Sequence, residues 1–226
     1  MINIIISYLL SGFFLSIQVI DREFFKTYFK DKPPGPQSFF NDYHFELVLR
    51  HISENTPIGR NKLASDLGLG TGSIRSIMKA LKKFELIDSD QKGHSLTDLG
   101  KKVVENLEKK IPKISFEIDL PKEISIAEYN QVLFIKNVAS KIKLGMDQTI
   151  AALKIDAKGA LTIILRNDKF IIPNLYSDLS KEFPNFIEKI QNLFNLENND
   201  VVVIGSGENK QQAIKGAWAA VYTLIE

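Results

Sequence analysis

The sequence predicts an α+β fold: a winged helix-turn-helix in the N-terminal half, then an α/β sandwich-type domain with a mixed sheet. Three patterns predict it. Apolar residues recur at helical spacing between Phe45 and Leu107, and a short hairpin pattern interrupts them. Beyond Pro112 apolar runs alternate with helical stretches. The 226 residues, 44% apolar and 25% charged, exclude a wholly disordered chain and fit one large or two small domains. Breaks at Pro33-Pro34-Gly35-Pro36 and Lys110-Ile111-Pro112 divide the chain. An apolar segment with its linker covers 1–35, the helix-turn-helix 36–112, and an effector-binding or dimerisation domain 113–226.

The first helix of the helix-turn-helix carries Phe45, Val48, Leu49 and Ile52 on one face. Thr56-Pro57-Ile58-Gly59 turns the chain into a short second helix with Leu63, Ala64 and Leu67. After the Gly68–Gly72 turn, a third helix buries Ile74, Ile77, Met78, Leu81 and Phe84. A small wing follows, Leu86-Ile87 out and His94-Ser95-Leu96 back around Gln91-Lys92-Gly93. Thr97 or Asp98 caps a last helix with Val103, Val104 and Leu107 inward.

The polar side of the third helix carries the functional expectation. From Ile58 to Lys83 six cations (Arg60, Lys62, Arg75, Lys79, Lys82, Lys83) face a single acid, Asp66, although the whole chain has a net charge of only +2. Cations gathered where phosphates would lie point to double-stranded DNA. Thr71, Ser73, Arg75 and Ser76, at the helix start, are the candidates for base edges, and an arginine pairs with guanine in bidentate fashion. Lys79, Lys82 and Lys83 suit the phosphate backbone. In the wing Lys92 is the cation, flanked by Asp88 and Asp90, and His94 is suited to a phosphate or to solvent.

Several stretches resemble an archaeal two-domain family. They are Pro36–Phe40 (PQSFF), Pro57–Leu63 (PIGRNKL), Leu67–Ile77 (LGLGTGSIRSI) and Leu96–Gly100 (LTDLG). The likeness continues through Lys143–Gln148 (KLGMDQ), Ala151-Ala152, Ala157–Ala160 (AKGA) and Ile204–Gly207 (IGSG). The family resembles transcription regulators in its winged-helix half and carries a C-terminal domain of unknown function. The resemblance implies a DNA-binding regulator and supplies no catalytic residues.

In the C-terminal half the pattern predicts strands at Ile114–Leu120 and Gln131–Lys136, then a helix over Val138–Ile155. A hairpin through Asn167-Asp168, a helix Lys181–Phe194, a strand Val201–Ile204 and a helix Lys210–Ile225 follow. From Lys113 onward 13 basic residues stand against 14 acidic ones, a balance unsuited to nucleic acid. Two spots qualify as ligand sites. Gly205-Ser206-Gly207 follows an apolar strand and opens a helix, so free N–H groups there would meet an anion, unless the glycines only make a tight turn. Lys143, Asp147 and Gln148 are the polar candidates of the other. The small face Ala213, Gly216, Ala217 and Ala220 of the last helix suits close packing on the sheet.

Catalysis finds little support. Zero cysteines exclude disulfides, thiol nucleophiles and cysteine-held metals. Three histidines leave no triad or metal set in view; His44 and His51, seven apart, read as surface residues. No cofactor is expected. Gly68, Gly70 and Gly72 follow a helix and lack the lysine of a phosphate loop. The expectation is a cytoplasmic transcriptional regulator, a homodimer whose C-terminal domain dimerises or binds a small-molecule effector. The uncharged residues 1–20 fit a membrane anchor, a helix packed on the body or on a dimer partner, or a tail translated from an early start codon. The alternative function is a winged-helix adaptor for proteins, with residues 1–20 as its membrane tether.

Overall fold

The computed structural model describes residues 20–30, 40–115 and 119–225. The apolar segment as far as residue 19 and the proline-rich break lie outside them. No helix of the described residues is long and apolar enough to cross a membrane. The chain divides into two compact units, residues 1–108 and 109–226. Together they mix α-helices with antiparallel sheets.

In the first unit the order is α1 (Arg22–Lys30), α2 (Tyr43–Glu54), α3 (Arg60–Leu67), α4 (Thr71–Lys83), β1 (Ile87–Ser89), β2 (His94–Leu96) and α5 (Asp98–Glu108). Helical periodicity does its expected work. Phe45, Leu49 and Ile52 of α2, Leu63 of α3, Ile74, Ile77 and Leu81 of α4 and Val103 and Leu107 of α5 are all buried. Phe84, expected inside, is half-buried and closes α4. Thr97 is the cap of α5, its hydroxyl oxygen accepting from the N–H of Gly100 at 3.0 Å. β1 and β2 pair antiparallel, and Ile58 joins their edge by a bridge to His94. Asp90 Oδ1 accepts from the N–H groups of Lys92 and Gly93, so this carboxylate builds the hairpin tip.

The linker drawn from sequence takes no account of α1. Its Phe25 is buried and stacks on Phe45 with ring centroids 5.1 Å apart, while Phe24 meets Phe84 edge-on at 4.9 Å. Helix α1 therefore packs on the same core as α2 to α5.

The second unit is a five-stranded sheet with helices on both faces. Its elements are β3 (Lys113–Ser115), β4 (Tyr129–Ile135), a 3₁₀ turn (Ala139–Lys141), α6 (Met146–Leu153), β5 (Gly159–Arg166) and β6 (Lys169–Ile171). Then come α7 (Leu179–Glu182), α8 (Pro184–Leu193), β7 (Val201–Gly207) and α9 (Lys210–Ile225). The strand order is β3-β4-β7-β5-β6, and every pairing is antiparallel. The mixed sheet expected from sequence is therefore corrected: β7 inserts between β4 and β5 and runs against both, so β4 and β5, which share a direction, never touch. Val132, Phe134, Leu161, Ile163, Val202 and Ile204 meet Phe186, Ile187, Ile190 and Phe194 on one face. Helix α9 packs on β7 and β4 on the other, beside α6.

Other boundaries also shift. The helix expected over Val138–Ile155 is broken, because Gly145 adopts φ +74°, a left-handed conformation that starts α6 afresh. Lys181–Phe194 divides into α7 and α8 at Pro184, which occupies the first position of α8. The strand at 114–120 is described as far as Ser115, with 116–118 outside the described residues. Helix α9 spans the expected Lys210–Ile225.

Candidate nucleic-acid interface

Helices α3 and α4 are held by one apolar seam, Leu63, Ala64 and Leu67 against Ile74, Ile77, Met78 and Leu81. Burying that side fixes what points out. Arg60 and Lys62 of α3 and Thr71, Arg75, Ser76, Lys79, Lys82 and Lys83 of α4 are exposed, and so is Lys92 at the hairpin tip. Ser73 is half-buried. The Ser76 hydroxyl donates to the Gly72 carbonyl at 3.1 Å, which ties it to its own helix. No side chain caps the start of α4, whose preceding residue is Gly70.

A concavity of about 350 Å³ opens between α3, α4 and the hairpin, lined by Gly59, Arg60, Asn61, Lys62, Arg75, Met78 and His94. It brings together three of the sequence candidates, Arg60, Lys62 and Arg75. Lys79, Lys83, Thr71 and Lys92 are not in its lining. Asn61 and Met78 are additions that the sequence did not single out; Met78 counts there as core, and Asn61 shows nothing beyond a position next to Arg60.

Electrostatics sharpen the picture. Lys62 Nζ pairs with Asp66, whose other oxygen lies 2.8 Å from His51 Nε2. The Lys62 ammonium, then the His51 ring, hold the Asp66 carboxyl below its usual range. The one acid in this stretch is thus turned inward along α3 toward α2. His94 is shifted below its ordinary value, first by burial, then by the Arg60 and Lys82 charges, with Asp90 pulling the other way. Ser89 Oγ is 2.8 Å from its Nδ1. Two cations that perturb one imidazole lie close enough to act jointly on any anion beside it.

Three sequence expectations are corrected. Gly205, Ser206 and Gly207 do not form an open turn; they are buried in β7, paired with Gln131, Asn130 and Tyr129 on one side. Ser206 Oγ donates to Asn130 Oδ1 at 2.7 Å. A Cβ on Gly205 would stand 2.1 Å from the Ala217 nitrogen, so this glycine exists to let α9 approach the strand. The turn into α9 is made by Glu208 and Asn209, with Asn209 Oδ1 accepting from the N–H of Gln212 at 3.0 Å. The other set fails to converge. Lys143 and Asp147 face solvent, whereas Gln148 is buried and its Nε2 donates to Thr223 Oγ1 at 2.6 Å. His44 is likewise no surface residue: it is buried, accepts from the N–H of Asn41 and stacks on Tyr43.

Comparison with known proteins follows this division of the chain. Residues 49–102 match the PH0730-like N-terminal domain. That PH0730-like match contains α3, α4 and the hairpin, hence the whole concavity. A second family model, described as a domain of unknown function (DUF4443), matches residues 126–224. Among solved structures, the hypothetical protein PH0730 from Pyrococcus horikoshii OT3 is similar to 80% of this chain over 91% of its own length, at 26% identity and a TM-score of 0.63. No curated protein matches the sequence. The archaeal resemblance noted from sequence thus has an N-terminal and a C-terminal counterpart.

Proposed function

We propose that the first unit is a winged helix-turn-helix that binds double-stranded DNA, with α4 in the major groove and the β1–β2 hairpin as its wing. The chain acts as a cytoplasmic homodimeric transcriptional regulator. It is a binding protein without catalysis, and its second unit serves dimerisation or an effector. One observation carries the reading: Arg60 and Arg75 meet at one concavity beside the exposed cations of α4, while the sole acid of that stretch is engaged by Lys62 and His51. A bare, cationic helix face next to a hairpin is what a duplex groove and its two phosphate rims require.

Arg75 supplies base readout and Lys79, Lys82 and Lys83 hold phosphates, since the helix start enters deepest while its last turn runs along the backbone. Selection of genomic fragments by the purified full chain tests this. The expected result is a limited set of fragments sharing half-sites about 34–36 Å apart, with affinity falling steeply with salt. Absence of duplex retention at low salt overturns the reading and favours the protein-adaptor alternative.

A further inference from the structure

Helix α6 buries one side and leaves apolar side chains on the other. Its inner side holds Gln148 and Ala152 against the body. Its outer side presents Met146, Ile150 and Leu153, four and seven positions along one face, at 58%, 42% and 51% exposure. Leu144, 52% exposed, precedes the helix. Leu175, 60% exposed, comes from the loop whose Pro173 lies beside Gly145. A surface helix ordinarily turns charge outward. Side chains of this size and number fall within the roughly 300–600 Å² of the largest apolar patch on a typical monomer, a patch of the kind that marks an interaction site.

We propose that this face docks a second copy of the chain, two α6 helices packing antiparallel about a twofold axis near Ile150. The charges at its rim select that occupant. Lys143 and Asp147 are exposed at one end, Lys154 and Asp156 at the other. An antiparallel pair sets Asp147 of each copy toward Lys154 of the other, twice over, so the face complements itself as an isologous contact must. Two cations and two anions give no attraction to an anionic lipid surface. The proposal deepens the proposed function and rests only on its homodimer part.

Sedimentation of the full chain across micromolar concentrations, without DNA, tests it. The expected result is a dimer that Leu153→Glu weakens at least tenfold, with an unchanged helix content by circular dichroism. Leu175→Glu, on the adjoining loop, should do the same and serves if the first variant fails to fold. Asp147→Lys should loosen the dimer, and adding Lys154→Asp should restore it. A wild-type monomer at every concentration, or a dimer indifferent to both glutamate variants, overturns the proposal. A dimer that ignores duplex DNA sinks the regulator and leaves the docking face standing; a monomer that binds duplex DNA does the reverse.

Discussion

The guanidinium of Arg22 grips the carboxylate of Glu46 across 24 positions of sequence, with Nη2 2.8 Å from Oε1 and Nε 2.8 Å from Oε2. Arg50 closes on the same carboxylate at 2.7 Å, one turn along α2, and Glu46 is almost fully buried. Arg22 also donates to the Leu107 carbonyl at 2.9 Å, so a single residue ties α1 to both α2 and the end of α5.

A buried carboxylate between two cations is costly to break from the middle. Glu46→Gln keeps the volume and leaves Arg50 beside Glu108, 3.6 Å away. The expected loss is about 3–5 kcal/mol in urea unfolding of the first unit's transition. Arg22→Met should cost less and should expose α1 to protease first. Equal, negligible changes would show that the network does not hold the helix.

Arg75→Ala should weaken specific duplex binding by ~1–3 kcal/mol and relax preference at one base position. Lys82→Ala should weaken all duplexes alike and reduce the salt slope by about 1. Fluorescence anisotropy over a salt series separates the two. Identical profiles would contradict the division between readout and backbone.

The His94 imidazole, held down by burial and by Arg60 and Lys82, should titrate below 6.5 in the free protein. Between its folded value and 6.5 the unfolded chain binds more proton. Its contribution to stability is therefore full above 6.5 and lost as pH falls through the folded value. A phosphate beside the ring would offset the two cations, so duplex binding should raise the midpoint and take up proton. Proton NMR of the ring follows both. A free-protein midpoint at or above 6.5 contradicts the first, and an unmoved one on adding duplex contradicts the second.

Gly205→Ala distinguishes a packed strand from an open ligand turn. Its new Cβ meets backbone at 2.1 Å, which no side-chain rotation relieves. Overpacking of this kind should cost about 3 kcal/mol or more, read as a lowered melting temperature of the second unit. A neutral substitution would return Gly205-Ser206-Gly207 to consideration as an anion site.

Legibility followed the range of the interactions. Helices α2 to α5 and α9 show in the sequence because their apolar spacing is local. Gly205 was misplaced because a glycine after an apolar run signals a turn or a close backbone approach equally. The small face of Ala213, Gly216 and Ala217 held the deciding clue, since a helix that small must lie against something equally bare. The hold of Arg22 on Glu46, and the burial of His44, have no local signature: Arg22 stands 24 positions away, and the Asn41 partner of His44 lies in irregular chain. The sheet order was illegible for the same reason, as helical connections leave open which strands become neighbours.

That order has a temporal consequence. β7, the central strand of the sheet, comes after both β4 and β5 in the chain, so on a ribosome those two emerge with no shared neighbour between them. Until β7 is released, two apolar strand edges stand unpaired, while the local contacts of α2 to α5 have long been free to form. A chain broken off before Val201 would lack the keystone and leave the preceding strands open to their counterparts on other nascent chains.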